Sequence, residues 1–287
     1  MHPSHRDNQP SGSPVSAEST RSPLPSRISW SKVPEVTIFF WIIKILATTV
    51  GETAADYLNE TMGWGLTNTT VVTVILLILS LVAQFAVRRY IPVVYWWAVV
   101  VISVTGTLIT DNLTDNWGVP LAVTTAVFVV ALIATFSVWY LVERTLSIHS
   151  IRTPRREAFY WLAILVTFAL GTAAGDLIAE KMAVGYGTSL LIFAAVIALI
   201  TLAHYVFHLN AIVAFWAAYI VTRPLGASLG DLLTQPTDEG GLGLGTTAVN
   251  VTFFVVIIAL VGYLTVSKVD RIEQKRGEAD PEYVVRT

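Results

Sequence analysis

The chain is predicted to be an all-α integral membrane protein, with eight transmembrane helices forming four parallel-oriented helical-hairpin repeats. Three observations predict it. Of its 287 residues, 54% are hydrophobic and only 13% charged, with mean hydropathy +0.64, whereas soluble domains carry about 25% charged residues. Eight apolar runs are each long enough for a membrane-crossing helix, which needs about 20 residues. One pattern is written four times: glycine, four residues, aspartate, then usually another acid four residues on.

The runs fall at roughly 36–58, 70–88, 93–114, 121–142, 157–179, 188–207, 211–233 and 246–266. They lack period-2 alternation, which excludes a closed β-barrel. Pro92, Pro120 and Pro154 stand just before spans three, four and five, where a missing N–H is harmless. Residues 1–33 are rich in Ser, Pro and Arg without an apolar run, so they read as a disordered cytoplasmic tail and not a signal peptide. The membrane domain is expected over 34–267, with repeats at about 36–90, 91–146, 155–208 and 209–266, and a polar cytoplasmic tail over 268–287. Cysteine is absent, which removes disulfides and thiol chemistry.

Basic residues set the orientation. Every Lys and Arg other than Lys44, Lys181 and Arg223 falls in the tails or the connections on their side. Both termini are therefore expected in the cytoplasm of a cell whose plasma (inner) membrane the chain spans. The outer ends of the spans then hold ten acids against Lys181 and Arg223, a local charge of about −8 that would gather cations and repel anions.

The four motif copies are Gly51–Asp56–Glu60, Gly106–Asp111–Asp115, Gly171–Asp176–Glu180 and Gly226–Asp231–Gln235. Trp41, Trp96, Trp161 and Trp216 each stand ten residues before a motif glycine, within the aromatic pairs Phe40-Trp41, Trp96-Trp97, Tyr160-Trp161 and Phe215-Trp216. An aromatic belt at the membrane interface is the default reading of these pairs, with substrate lining as the alternative. Each unit contributes two spans, so all four share one orientation, unlike inverted-repeat transporters.

Four residues after each motif glycine comes Ala55, Thr110, Gly175 or Gly230, giving every odd helix the small-xxx-small stripe that lets membrane helices approach closely. The aspartate lies about 140° from the glycine and about 40° from the second acid. Spans two, four, six and eight are almost wholly apolar, so they are expected outside, with the odd spans grouped within. That grouping predicts a central cluster of Asp56, Asp111, Asp176 and Asp231 flanked by Glu52. Glu60, Asp115 and Glu180 are expected as acids behind that cluster or at its entry.

Here the chain resembles a family of bacterial multi-pass membrane proteins made of four tandem two-span repeats of unknown function, often labelled only as membrane-anchored proteins. Trp41, Trp96, Trp161 and Trp216 match the tryptophan that this family carries in each repeat. A second aromatic or glycine signature recurs in Gly63-Trp64-Gly65, Trp117-Gly118, Gly185-Tyr186-Gly187 and Gly243-Leu244-Gly245. The resemblance covers about 36–266; it implies the architecture and supplies no activity.

An acid at membrane depth is a functional-site candidate. Converging aspartates would need a cation or shared protons, and an all-oxygen site suits Mn²⁺, Mg²⁺ or Ca²⁺. The reading is a secondary transporter or exporter of such a divalent cation. The rivals are a scaffold or accessory protein whose acids only cap helices, and a proton-linked transporter or channel for another solute. Lys44 is expected to snorkel or pair with an acid, or else to couple protons. Arg223 is expected to pair with a nearby Asp or, like Lys44, to take part in coupling. With no P-loop, HExxH, GxSxG or dinucleotide fingerprint, no enzymatic role and no nucleic-acid partner are expected. The partners are lipid and a small cation or proton, and an oligomer is optional.

Overall fold

A computed structural model describes residues 31–271, the Glu180 side chain excepted; the tails before and after, including most of the two predicted cytoplasmic segments, lie outside the described residues. Eight long helices follow in order: α1 Ile38–Asp56, α2 Leu66–Ala86, α3 Pro92–Asp111, α4 Leu121–Glu143, α5 Pro154–Asp176, α6 Tyr186–Phe207, α7 Ala211–Thr234 and α8 Thr246–Ser267. All eight are long and apolar enough to cross a membrane. Pro92 and Pro154 open α3 and α5, and the side chains of Thr37, Thr153 and Asn210 cap α1, α5 and α7. These residues satisfy or remove the N–H groups that a helix leaves unbonded at its start.

Helices α2, α6 and α8 start after Gly65, Gly185 and Gly245, whose φ lies between 72° and 81° with ψ extended. That backbone region is essentially closed to residues with a Cβ. Helix α2 begins at Leu66, earlier than its apolar run. Thr69 and Thr70 donate their hydroxyls to the carbonyls of Gly65 and Leu66, so polar residues continue the helix without an unmet hydrogen bond.

The odd helices form a closed inner ring in which α1 packs on α3, α3 on α5, α5 on α7, and α7 back on α1. Each even helix lies chiefly on the odd helix of the following repeat: α2 on α3, α4 on α5, α6 on α7 and α8 on α1. The two helices of one hairpin therefore are not each other's main packing partners and have at most a slight contact, as between α7 and α8. Every repeat lays its outer helix on its neighbour, and the eighth helix closes the circle. Burial follows: within the most apolar stretch, 56–78% of residues are buried in the odd helices and 6–28% in the even ones.

Aromatic side chains staple the ring near the end where α1 begins. Phe40, Tyr95, Tyr160 and Phe215 occupy one position in successive repeats, and each contacts the repeat tryptophan of the next unit. The centroid distances are 5.5 Å to Trp96, 5.5 Å to Trp161, 6.2 Å to Trp216 and 5.8 Å to Trp41. The expected aromatic belt is overturned here. Trp96, Trp161 and Trp216 are buried and Trp41 is half-buried, because ring-to-ring contact between repeats outweighs their preference for a lipid headgroup layer.

The packed structure also reaches past the predicted bounds of 34–267. Lys32 is buried, with Nζ 2.6 Å from Glu157 and 3.1 Å from the Phe85 carbonyl, and Gln84 donates to the other Glu157 oxygen at 3.1 Å. The Tyr90 hydroxyl donates to Asp270 at 2.5 Å, and the Glu35 amide donates to the Asp270 carbonyl at 2.9 Å. The segments flanking the bundle are thus clasped together across its terminal end. Burial raises the Asp270 carboxyl above the usual Asp range despite the Tyr90 hydrogen bond, and burial beside Asp270 raises the Tyr90 hydroxyl.

An acid whose folded pKa is raised favours the folded contact at low pH and loses that contribution as pH climbs through the raised value. The clasp should therefore tighten on acidification from about pH 7 toward about 4, near the unperturbed carboxylate value. A spin label on a cysteine at the exposed Val269, in a chain otherwise free of cysteine, should become less mobile over that range. Asp270→Asn should remove the pH dependence and keep the label in its low-mobility state.

Candidate functional site

The four motif glycines are contact points between neighbouring odd helices. A Cβ added at Gly51, Gly106, Gly171 or Gly226 would lie 2.5–2.6 Å from the Cβ of Ser103, Phe168, Arg223 or Thr48, respectively. Those four partners again share one repeat position. Close approach around the ring is thus obtained four times by the same pairing, glycine against the next repeat's residue one turn before its own glycine.

The pairing at Gly171 carries Arg223 into the centre. Arg223 is wholly buried, on α7 immediately before Pro224, a proline inside the helix. Its Nη2 donates to Glu52 at 2.8 Å, to Thr172 at 2.7 Å and to Thr107. The expectation that Arg223 pairs with an Asp is corrected: its ion-pair partner is Glu52, on the adjacent helix α1. Glu52, Thr107 and Thr172 occupy the same position in the first three repeats, and the fourth holds Ala227. Arg223, one turn below Ala227, fills the place the fourth oxygen would have had. Glu52 is consequently not a free cation ligand, since a guanidinium already balances its charge.

Lys44 lies two turns below Glu52 on α1, also wholly buried. Its Nζ is 4.1 Å from the ring centroids of both Phe168 and Tyr219 and has no hydrogen-bond partner. It neither snorkels nor pairs with an acid, which corrects the structural expectation for this residue. The Arg223 guanidinium shares the Phe168 ring at 5.5 Å.

One turn beyond Glu52 come the motif aspartates. Asp56, Asp111 and Asp176 are half-buried and Asp231 is buried. The charges acting on Asp111 are those of Glu52, Asp176, Asp56 and Asp115, so the ring brings these acids within electrostatic reach of one another. The second acids Glu60 and Asp115 are exposed, and the Glu180 side chain lies outside the described residues. The expected cage for a divalent cation is not formed: among the described residues no group of three or more His, Asp or Glu is placed to hold a metal ion.

Directly after each of the first three motif aspartates the helix widens into a π-turn, at Tyr57–Thr61, Asn112–Asn116 and Leu177–Lys181. Five-residue hydrogen bonds define it: Met62 to Tyr57 at 2.9 Å, Trp117 to Asn112 at 3.1 Å and Met182 to Leu177 at 3.0 Å. The fourth repeat, which has Gln235 for the second acid, keeps the ordinary four-residue bond from Gln235 to Asp231 at 2.9 Å. Such single π-turns are frequent at functional sites. The widened turn and the acid pair occur together in three repeats, and both are missing from the fourth.

Thr107, Thr172, Phe168 and Tyr219 do not stand out as site residues in the sequence. Their signal is positional. Aligned by motif glycine, the slot of Glu52 holds Thr107 and Thr172, and the slot of Arg223 holds Thr48, Ser103 and Phe168. One position that is anionic or hydroxylated in three units, beside a single arginine in the fourth, marks a layer across the axis.

Fold and site together define an eight-span membrane protein whose four two-helix repeats close around a core of buried charge. The chain belongs to the family described as Repeat of Unknown Function (DUF347), whose model matches it four times, at residues 39–90, 94–145, 159–209 and 214–270. Each match covers one odd helix and the even helix that follows. No curated protein and no solved structure matches the chain.

Proposed function

We propose that the protein is a proton-linked secondary transporter of the plasma membrane, with the inner ring of odd helices as its path. The observation that carries this reading is the layer in which Arg223 reaches Glu52, Thr107 and Thr172 from three other helices. A buried ion pair is weak as a source of stability, and ionisable groups within membrane spans mark pathways and proton relays. In this reading the layer is the closed gate. Asp56, Asp111, Asp176 and Asp231 form the outer proton-exchanging mouth, which Glu60, Asp115 and Glu180 supply. Both termini face the cytoplasm, following the basic connections. The aspartates serve as proton carriers instead of a Mn²⁺, Mg²⁺ or Ca²⁺ cage, in keeping with the donor geometry among the described residues.

The gate can be tested whatever the solute. Full-length protein is reconstituted in liposomes containing a pH dye, under a potassium-diffusion potential. Arg223→Ala should raise proton leak about tenfold or more over wild type, which corresponds to only about 1.4 kcal/mol off a barrier. Adding Asp111→Asn should reduce that leak. Stable, correctly inserted Arg223→Ala protein with no added leak would favour the scaffold reading instead.

A further inference from the structure

We propose that the Lys44–Arg223 layer is a binding site for a small monovalent anion, a halide or a small carboxylate. It is independent of the transport reading, because binding here needs no movement of any solute. Three sets of observations converge on it.

The first is charge. Two wholly buried basic side chains, Lys44 and Arg223, face the same Phe168 ring. The carboxylate hydrogen-bonded in this layer is Glu52, and it is engaged by Arg223. With Lys44 protonated, the layer carries one positive charge more than Glu52 balances, deep in the helix ring, where an unbalanced charge is costly. One monovalent anion would balance it. The next carboxylates, the motif aspartates, lie a turn further out and act on one another.

The second is hydrogen bonding. Arg223 makes all its described hydrogen bonds through Nη2, while Nε and Nη1 are buried without partners. Lys44 Nζ, Tyr219 Oη and Ser103 Oγ are likewise buried and unpartnered. An unpaired buried donor costs about 1–3 kcal/mol, more when charged, so an acceptor shared by several donors of this layer would relieve that cost. The two aromatic faces around Lys44 stabilise an ammonium, but they supply no acceptor lone pair. What the layer lacks is an acceptor with negative charge.

The third is access. The motif aspartates, Glu60 and Asp115 lie at the motif end of the bundle, whereas the terminal end carries Arg88, Arg89, Arg144, Arg152 and Lys268 beyond the pairs that Arg155 and Arg156 make with Glu143 and Lys32 makes with Glu157. A basic rim gathers anions, and Lys44 is the member of the layer nearer that rim. A small, singly charged species fits a site built from one ammonium, part of one guanidinium and neutral hydroxyls. A phosphate or sulfate dianion would overshoot the charge.

The test uses the full-length protein purified in gluconate. Its nine tryptophans report thermal unfolding while gluconate is replaced at constant sodium by chloride, bromide or nitrate in one arm and by formate or acetate in the other. Wild type should show a saturable rise in Tm in at least one arm, as expected for a ligand bound only to the folded state. The responding arm identifies an inorganic ion or a small organic acid. Lys44→Met should fold in gluconate with Tm unchanged or raised, since an apolar side chain suits the aromatic sandwich. Its anion dissociation constant should rise about tenfold or more, the loss of a single charged contact. Glu52→Gln, which adds to the excess positive charge, should tighten binding. No saturable shift for any anion, or an equal shift in Lys44→Met, overturns the proposal. The proton-leak experiment is unaffected by either result, so failure of the two readings can be told apart.

Discussion

Gly171→Ala should prevent the inner ring from closing. In most helices this substitution is favourable, by about 0.5–1 kcal/mol, because alanine loses less backbone entropy. Here the new Cβ would lie 2.6 Å from Arg223 Cβ and 3.1 Å from Pro224 Cδ, with Arg223 Cγ nearer still. These atoms are close to the α7 backbone, so no flexible side-chain tip can swing away to relieve the overlap. The helices must separate, at about 1–3 kcal/mol or more for overpacking, and Arg223 must leave its three oxygen partners. The matched control is Gly262→Ala on α8, where an added Cβ meets nothing within 4 Å; it should be neutral or slightly stabilising. Thermal unfolding of both variants in detergent checks the contrast. Equal midpoints for Gly171→Ala and wild type would show that the ring tolerates a wider α5–α7 separation.

The eight spans and the division into inner and outer helices were legible because hydropathy and polar load are local properties. Asp and Glu concentrate on α1, α3, α5 and α7, and the outer helices carry only Glu143, at the end of α4. The exchange of outer helices between repeats was not legible. Nothing in a near-uniform run of Val, Ile and Leu says which of two odd helices α2 will cover. The lock between Thr53 and Asn250, at 2.8 Å and 2.9 Å, which fastens α8 on α1, pairs residues from opposite ends of the chain. The π-turns likewise have no propensity signal of their own; only their coincidence with the second acid gives them away in retrospect.

At the site, the repeated aspartates were conspicuous because repetition itself is a sequence signal. The charges that occur once were harder to place. Arg223 and Glu52 are 171 positions apart, and helix periodicity cannot join residues on different helices. The link is carried by repeat register, in which Glu52 and the two threonines share a slot. Lys44 is hard to place for a related reason. Its depth from the start of α1 would let it reach the interface, but the rings of Phe168 and Tyr219 from two other repeats enclose it.

Replacing both members of the central ion pair should cost far less than replacing either one. Arg223→Met leaves the Glu52 carboxylate buried with the Thr107 hydroxyl at 3.3 Å and no cation bonded to it. Glu52→Leu leaves a buried guanidinium with the Thr107 and Thr172 hydroxyls as its oxygen partners. Breaking a buried pair from one side typically costs about 3–5 kcal/mol, whereas exchanging the whole pair for apolar residues of similar size is often neutral or stabilising. The Glu52→Leu/Arg223→Met double variant should therefore recover most of the stability lost by each single variant. A double-mutant cycle in thermal or denaturant unfolding would show a coupling of roughly 3 kcal/mol or more, beyond the usual range for adjacent residues. A near-zero coupling would mean that Arg223 is held by the threonines and the glycine contact, with Glu52 incidental. The double variant also separates stability from function. If it is as stable as wild type yet leaks protons in liposomes, the pair is retained for closing the path, since an apolar layer of equal volume would hold the helices together as well.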